Sequence, residues 1–351
     1  MSTPQSLPPA ELSAGIRRVL RARDVSPGDA DDVARALVET SLRGVDTHGV
    51  RLLPTYLHEL DGGRAKARPV MTAHRLRPGL ELVDAGGALG IVAGLAAARR
   101  AVDLARTQGV AWVGVYNSNH FGAAATYTLE IARAGMIGVA MSNADALMAP
   151  RPGRAPALGT NPLSIAAPTD GHPFCLDMAT SQIAWSRIMA EWRTHGALPP
   201  GWALDADGRD CAEPGAGAPV TALPLGGVAG GYKGAGLALA IEVLCAGLVG
   251  ARFGPEQSHL YGDPWDAPRE VCHAFLAIDL DADGRGAALR ARLGALLEDY
   301  RARPTDGAEP LVAPGDLEAR SMIRRAAAIP IEAAVRSALD AVARSPGGSE
   351  G

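Results

Sequence analysis

The chain has 351 residues, 47% hydrophobic and 21% charged, with a formal net charge of -4 at pH 7 and a pI near 6.1. Such a length can bury a large core in two domains or one elaborated one, and such a composition is that of an ordinary soluble protein. The mild acidity, without a basic run or an aromatic stripe, excludes a nucleic-acid surface, and the first ten residues lack the basic-then-apolar layout of a signal peptide.

The first sixty residues read as mostly helical, with segments over 11–21, 30–40 and 50–60. Ser26 and Pro27 supply a cap and a first-turn proline for the second segment, and Val33, Ala36 and Leu37 fall at helical spacing. Residues 80–83 suggest a short strand and 90–107 an alanine-rich helix. The centre then alternates, with a strand over 111–116, a helix over 123–134 and a strand over 137–141, in the rhythm of a βαβ unit. Strands are expected over 163–167 and 173–177, a helix over 181–192, and a strand from Trp202 into an Asp-Gly turn ending at Gly208. A strand over 272–278, a helix over 285–300 and two short helices over 316–326 and 331–343 complete the pattern. Residues 345–351 read as a disordered tail. No internal repeat is visible.

Cys175, Cys211, Cys245 and Cys272 lie far apart with no CxxC spacing, the pattern of reduced thiols in a cytoplasmic protein. The longest apolar run, 235–249, is interrupted by Glu242 and is too short and too charged for a bilayer span. No HExxH or His-x-His pair suggests a metal.

Lys233 stands among six glycines in the segment 224–236, and the only other lysine is Lys66. Glycines let backbone come close to a ligand, so a loop at a helix N-terminus with one ammonium would suit an anion. A flexible turn with a solvated lysine is the alternative. His120 lies just after the strand over 111–116, where α/β folds place ligands. The dipole of a following helix would favour its neutral imidazole, able to exchange a proton with a substrate oxygen. The alternative is a polar loop histidine. Residues 43–51 gather Arg43, Asp46, Thr47, His48 and Arg51. Arginine grips carboxylates with two prongs and a histidine beside a hydroxyl can move protons, although Asp46 or Thr47 could equally cap the next helix. The small hydroxyls of 159–164 and 175–181 suit ligand contacts, or simply turns and caps.

Several familiar patterns fail. No GxGxxG follows a strand, Lys233 precedes glycine instead of the Ser or Thr of a phosphate-binding loop, and no Tyr-x-x-x-Lys dyad exists. The one GxSxG match lies at 347–351, with no strand before it.

In this order, RGVDTHG (43–49), SNHFG (118–122), GTNPLS (159–164), LDMATS (176–181) and PLGGVAGGYKGAG (224–236) resemble the malate/L-lactate dehydrogenase family, from about residue 10 to 340. The resemblance implies an α/β (mixed α+β) fold with a non-Rossmann NAD(P)-binding domain, a mixed sheet flanked by helices, and a helical domain from both terminal segments. It places a helical segment at 1–75 on the dimerisation and substrate side. The NAD(P)-binding domain would occupy 76–310, and C-terminal helices at 311–344 would join the first segment. By the same resemblance His48 is a proton donor with Thr47 and Asp177 as its relay, and His120 lies at the nicotinamide and is itself an acid/base in some members. Cofactor contacts fall on His120, Ser142, Thr160, Asp177, Met178, Ala179, Lys233 and the turn Pro314, Gly315 and Asp316. Arg43, Arg51 and Thr160 would hold the substrate.

Three departures stand out. Thr47 replaces a frequent serine, and Leu52 stands where many members carry arginine, with Arg51 one place earlier. Trp185 to Arg187 replaces the x-Gly-Lys that often follows the alanine, so Trp185 is expected to reshape the pocket. The reading is a cytoplasmic, homodimeric, NAD- or NADP-dependent oxidoreductase of a small 2-hydroxy or 2-keto acid, with no metal, nucleic-acid or membrane partner. Its rivals are a reductase of a cyclic imine carboxylate and a catalytically silent cofactor-binding protein.

Overall fold

The computed structural model describes residues 5–150, 152–212, 220–261, 264–307 and 309–341; the expected tail at 345–351 lies outside them. The chain opens with β1 (Gln5–Leu7), then α1 (Pro9–Arg21) and α2 (Pro27–Leu42). Ser26 caps α2 as the sequence suggests, its hydroxyl accepting from the Asp29 N–H at 3.1 Å, and Pro27 fills the first turn. The helical spacing of Leu12, Ile16, Val19 and Leu20 puts them on one fully buried face of α1, each worth about 1.5–3 kcal/mol relative to exposure. Two 3-10 turns, Asp46–His48 and Val50–Leu52, lead into α3 (Leu53–Gly62).

The central body begins with β2 (Thr72–Arg77), which straddles the expected domain boundary, and β3 (Leu80–Asp84). Then come α4 (Gly90–Gln108), β4 (Val110–Ser118), α5 (Ala125–Arg133), β5 (Met136–Ser142), β6 (Leu163–Ala167) and β7 (Phe174–Met178). Next are α6 (Trp185–His195), the small pair β8 (Ala203–Leu204) and β9 (Thr221–Ala222), and α7 (Gly227–Glu242). The chain closes with β10 (Val271–Asp279), α8 (Gly286–Arg301), α9 (Asp316–Arg325), β11 (Ile329–Ile331) and α10 (Ala333–Ala341).

Seven strands form one mixed sheet in the order β2-β3-β4-β10-β5-β6-β7. The true βαβ unit is β3-α4-β4, whose strands pair in parallel from Leu80 opposite Trp112. The sequence suggests the same rhythm for β4-α5-β5, but there β10 intervenes, antiparallel to both neighbours. Its apolar residues, Val271, Cys272, Ala274, Phe275 and Ala277, are buried, as the central strand of a two-sided sheet requires. The helix expected from residue 331 begins later, because Ile329–Ile331 pairs with Gln5–Leu7 and joins the two ends of the described chain. On the same side α10 packs against α1 and α3.

The segment expected to be a glycine-rich loop is instead helical. Lys233 sits within α7, which a π turn continues through Val243–Gly247. Gly234 serves packing: a Cβ on it would stand 2.4 Å from the Leu225 backbone nitrogen, so only glycine allows the helix to lie on the turn that precedes it. Tertiary contact outweighs the weak helix propensity of glycine. The helix over Gly227–Gly247 is 21 residues long, with mean hydropathy 1.3, and is long and apolar enough by those measures to cross a membrane. It is nonetheless fastened to the sheet, since the buried Glu242 carboxylate accepts from Asn161 Nδ2 at 3.0 Å and from Asn143 Nδ2 at 3.3 Å.

Candidate active site

Several of the expected site residues gather where the carboxyl ends of β4 and β5 meet the start of β10, which runs the other way. After β4 the chain enters Asn119, His120 and Phe121 with Gly90, at the start of α4, pressed against it. A Cβ on Gly90 would lie 2.2 Å from the Asn119 carbonyl oxygen, so this contact requires glycine. Asn119 Nδ2 donates to the Ala88 carbonyl at 2.9 Å, which fixes the turn that carries His120.

His120 Nδ1 lies 3.0 Å from the Tyr56 hydroxyl of α3. Its ring stacks on that of His48 with 5.8 Å between centroids, and His48 Nδ1 in turn lies 3.0 Å from the Thr47 hydroxyl. Burial lowers the His48 pKa to about 4. Burial also holds His120 well below its ordinary value, and the neighbouring His48, Arg269 and His273 push it the same way. Both imidazoles are therefore neutral at physiological pH. The direction for His120 agrees with the sequence expectation, and burial is its largest cause.

Behind this pair lies a buried polar core. His273 bridges the Ser142 and Ser118 hydroxyls at 2.8 and 2.9 Å, stacks on Phe121 at 4.6 Å, and is lowered by burial to about 3. Glu59, one turn along α3 from Tyr56, is fully buried. Neither of its carboxyl oxygens has a hydrogen-bond partner among the described residues. Burial raises it to about 7, against the pull of Arg269 and Arg64.

A cavity of about 600 Å³ opens in front of His120, within the usual range for a small-molecule site. Of the residues singled out in the sequence it is lined by Thr47, Arg51, His120, Ser142, Thr160 and Trp185. It is also lined by Asp145, Arg193, His259, Tyr261, Arg269 and Glu332, none of which the sequence suggested. Arg269 and Asp145 form a buried ion pair at 2.6 Å, the kind whose rupture costs about 3–5 kcal/mol. Arg51 pairs with Glu332 at 3.2 Å. The signal for Arg269 and Asp145 lies in topology: they flank β10 and β5, and only the sheet order makes them neighbours.

The other expected residues lie elsewhere. Arg43 is buried and donates to Cys175 Sγ at 3.3 Å. Asp177, next along β7, is exposed at the residue level yet has protein mass around it. Desolvation raises its carboxyl to about 6, opposed by the Ala125 N–H and by Arg43. The Ala125 N–H donates to Asp177 Oδ2 at 2.8 Å, and among the described residues no hydrogen bond joins Asp177 to Thr47 or His48. Met178 and Ala179 follow it. The 314–316 turn braces the same strand, the Pro314 carbonyl accepting from the Cys175 N–H at 3.1 Å, while Asp316 is held by Arg301 at 2.7 Å. Lys233 is exposed on α7 and is not among the residues lining the cavity.

His120 on the cavity wall, stacked on the neutral His48, which is not itself among the lining residues, suits proton exchange with an anionic hydroxy or oxo compound, together with an arginine and small hydroxyls. The malate/L-lactate dehydrogenase family model matches residues 7–340. The chain is 36% identical over 281 residues to malate dehydrogenase of Pyrococcus abyssi, covering 78% of this chain and 76% of that protein. It is 36% identical over 291 residues to an NADP(+)-linked (2R)-3-sulfolactate dehydrogenase of Chromohalobacter salexigens, covering 81% and 84%. The sulfolactate dehydrogenase structure from Methanocaldococcus jannaschii superposes with a TM-score of 0.88 at 29% identity over 96% of each chain. The chain belongs to the malate/L-lactate dehydrogenase family and is an oxidoreductase.

Proposed function

We propose that the protein is an NAD- or NADP-dependent dehydrogenase that interconverts a small 2-hydroxy acid and its 2-keto acid. The observation that carries this reading is the stacked, neutral pair His48 and His120 beside a cavity that also holds Arg51. The residues present suit a nicotinamide dinucleotide, since the lining includes Gly122, Ser142, Ala144 and Thr160, all too small to block a large flat ligand. That cofactor would supply the hydride acceptor or donor at the substrate C2. His120, Ser142 and Thr160 would hold it in the cavity. Asp177, Met178, Ala179, Lys233 and the Pro314, Gly315 and Asp316 turn stay in the proposal as contacts for a cofactor that extends beyond it.

The chain's own part is proton transfer and grip. Tyr56 and Thr47 occupy the Nδ1 atoms of His120 and His48, so each ring keeps Nε2 for the substrate. Where Nδ1–H donates to the hydroxyl oxygen beside it, the free Nε2 takes the proton of the substrate hydroxyl as that is oxidised; where Nδ1 accepts, Nε2–H donates a proton in the reductive direction. Arg51 would hold the C1 carboxylate, since a carboxylate without a partner is costly in a confined site. Arg43 and Asp177 would act from behind β7. The segments 1–75 and 311–344 would form one substrate-side unit, supported by the pairing of β1 with β11 and by Thr47, Arg51, Glu332 and Ala334 all lining the cavity.

We further propose a cytoplasmic homodimer. Val228, Tyr232, Leu239, Val243 and Leu248 are exposed along the helix that begins at Gly227, a contiguous apolar ridge of the kind that marks a protein interface. The test is a steady-state panel of 2-hydroxy acids, 2-keto acids and cyclic imine carboxylates with both cofactors. Turnover of hydroxy and keto acids supports the reading. Turnover confined to cyclic imines would replace it with the reductase alternative, and cofactor binding without any turnover with the silent one.

A further inference from the structure

We infer that Arg193 reads the far end of the substrate and selects 2-hydroxy acids that carry a second anionic group. The inference rests on the hydroxy-acid reading above. Trp185, Met189 and Arg193 follow one another at intervals of four along α6, so they share one helix face, and all three line the cavity with His120. That face is apolar at its start and cationic at its end.

Charge accounting singles out Arg193. The lining holds three guanidiniums, Arg51, Arg193 and Arg269, against two carboxylates, Asp145 and Glu332. Arg51 is paired with Glu332 at 3.2 Å and Arg269 with Asp145 at 2.6 Å. Among the described residues Arg193 makes no ion pair, so the one uncompensated permanent charge of the cavity is its guanidinium. The Tyr261 phenol on the same lining is raised by burial and by Asp145, while Arg51, Arg269 and Arg193 act to lower it. A planar guanidinium fork matches a carboxylate or sulfonate geometrically, as an ammonium or amide does not. Arg51 serves the C1 carboxylate, and Arg193 then meets the anionic group at the other end. The Trp185 and Met189 surface covers the carbons between them.

The experiment compares wild type with Arg193→Gln and Arg193→Lys. It measures kcat/KM for malate and sulfolactate, which have two anionic groups, beside lactate and 2-hydroxybutyrate, which have one, at saturating NAD and NADP. Arg193→Gln is expected to lower kcat/KM for the dianions by about 10- to 100-fold, mainly through KM, and to leave the monoanions within about twofold. Arg193→Lys should recover part of the loss. Equal losses for both classes, or none, would overturn the inference. So would a change confined to the KM for NADP, which would assign the guanidinium to the cofactor phosphate. Wild-type turnover of monoanions alone would also overturn it while leaving the dehydrogenase reading intact. Wild-type turnover of neither class would remove that reading and this inference with it.

Discussion

Glu59→Gln isolates a buried charge whose energetic signature depends on pH. Glu59 is fully buried, both its carboxyl oxygens lack partners among the described residues, and burial raises its pKa from 4.5 to about 7 despite Arg269 and Arg64. A folded-state pKa above the unfolded value means that the fold binds this proton more tightly. The stabilisation is therefore complete below about pH 4.5, declines as pH rises through 7, and is absent above. Moving a carboxyl that far costs the ionised form on the order of 3 kcal/mol, and most of that change falls between about pH 5 and 8. Glutamine cannot ionise, so the variant should gain about 2–3 kcal/mol on the wild type over that interval. Urea unfolding of both proteins at both pH values, followed by tryptophan fluorescence, measures the gap directly. A gap that stays constant would show that Glu59 is already ionised within the fold and would refute the burial argument.

The His48 pKa of about 4 predicts that kcat/KM for alcohol oxidation stays level down to about pH 4. An ordinary imidazole would lose activity below about pH 6.5, and a pH–rate profile separates the two. His48→Ala and His120→Ala should each lower turnover by about two orders of magnitude or more while cofactor binding, read by fluorescence titration, is largely kept; near-normal turnover in both would remove these histidines from the chemistry. Tyr56→Phe deletes the hydroxyl 3.0 Å from His120 Nδ1 and should cost about tenfold in kcat, with the fold unchanged by circular dichroism. Val243 is 64% exposed on the apolar ridge, and Val243→Glu should convert the proposed dimer to monomer in light scattering without changing the unfolding midpoint of the monomer.

Local pattern carried much of the architecture. The cap at Ser26, the alanine-rich α4 and the strands expected at 163–167 and 173–177, the second observed one residue later at Phe174–Met178, follow from spacing and turn chemistry, which act between near neighbours in sequence. Order across the sheet does not: nothing near residue 271 indicates that the strand there inserts between β4 and β5. For that reason His273, Arg269 and Asp145 carry no local signal, whereas His120 follows a recognisable strand and Ser142 enters only through the family resemblance. The loop expected around Lys233 is helical because Gly234 lets the helix touch the Leu225 backbone, a constraint that exists only in three dimensions. The six-residue β2, wholly exposed, left no alternating signature to detect.

The placement of β10 also dictates the order in which the molecule can assemble. A nascent polypeptide that has emerged only as far as residue 270 holds β4 and β5 with two open edges facing one another across a vacant lane, because their shared partner has yet to be synthesised. Loop closure over more than a hundred residues must precede the zippering of the middle of the sheet. Until then, those apolar edges are open to pairing with other chains. The strand that carries His273 is thus the last to enter the seven-stranded sheet, and the cavity gains its Glu332 and Ala334 wall only when the segments after it fold.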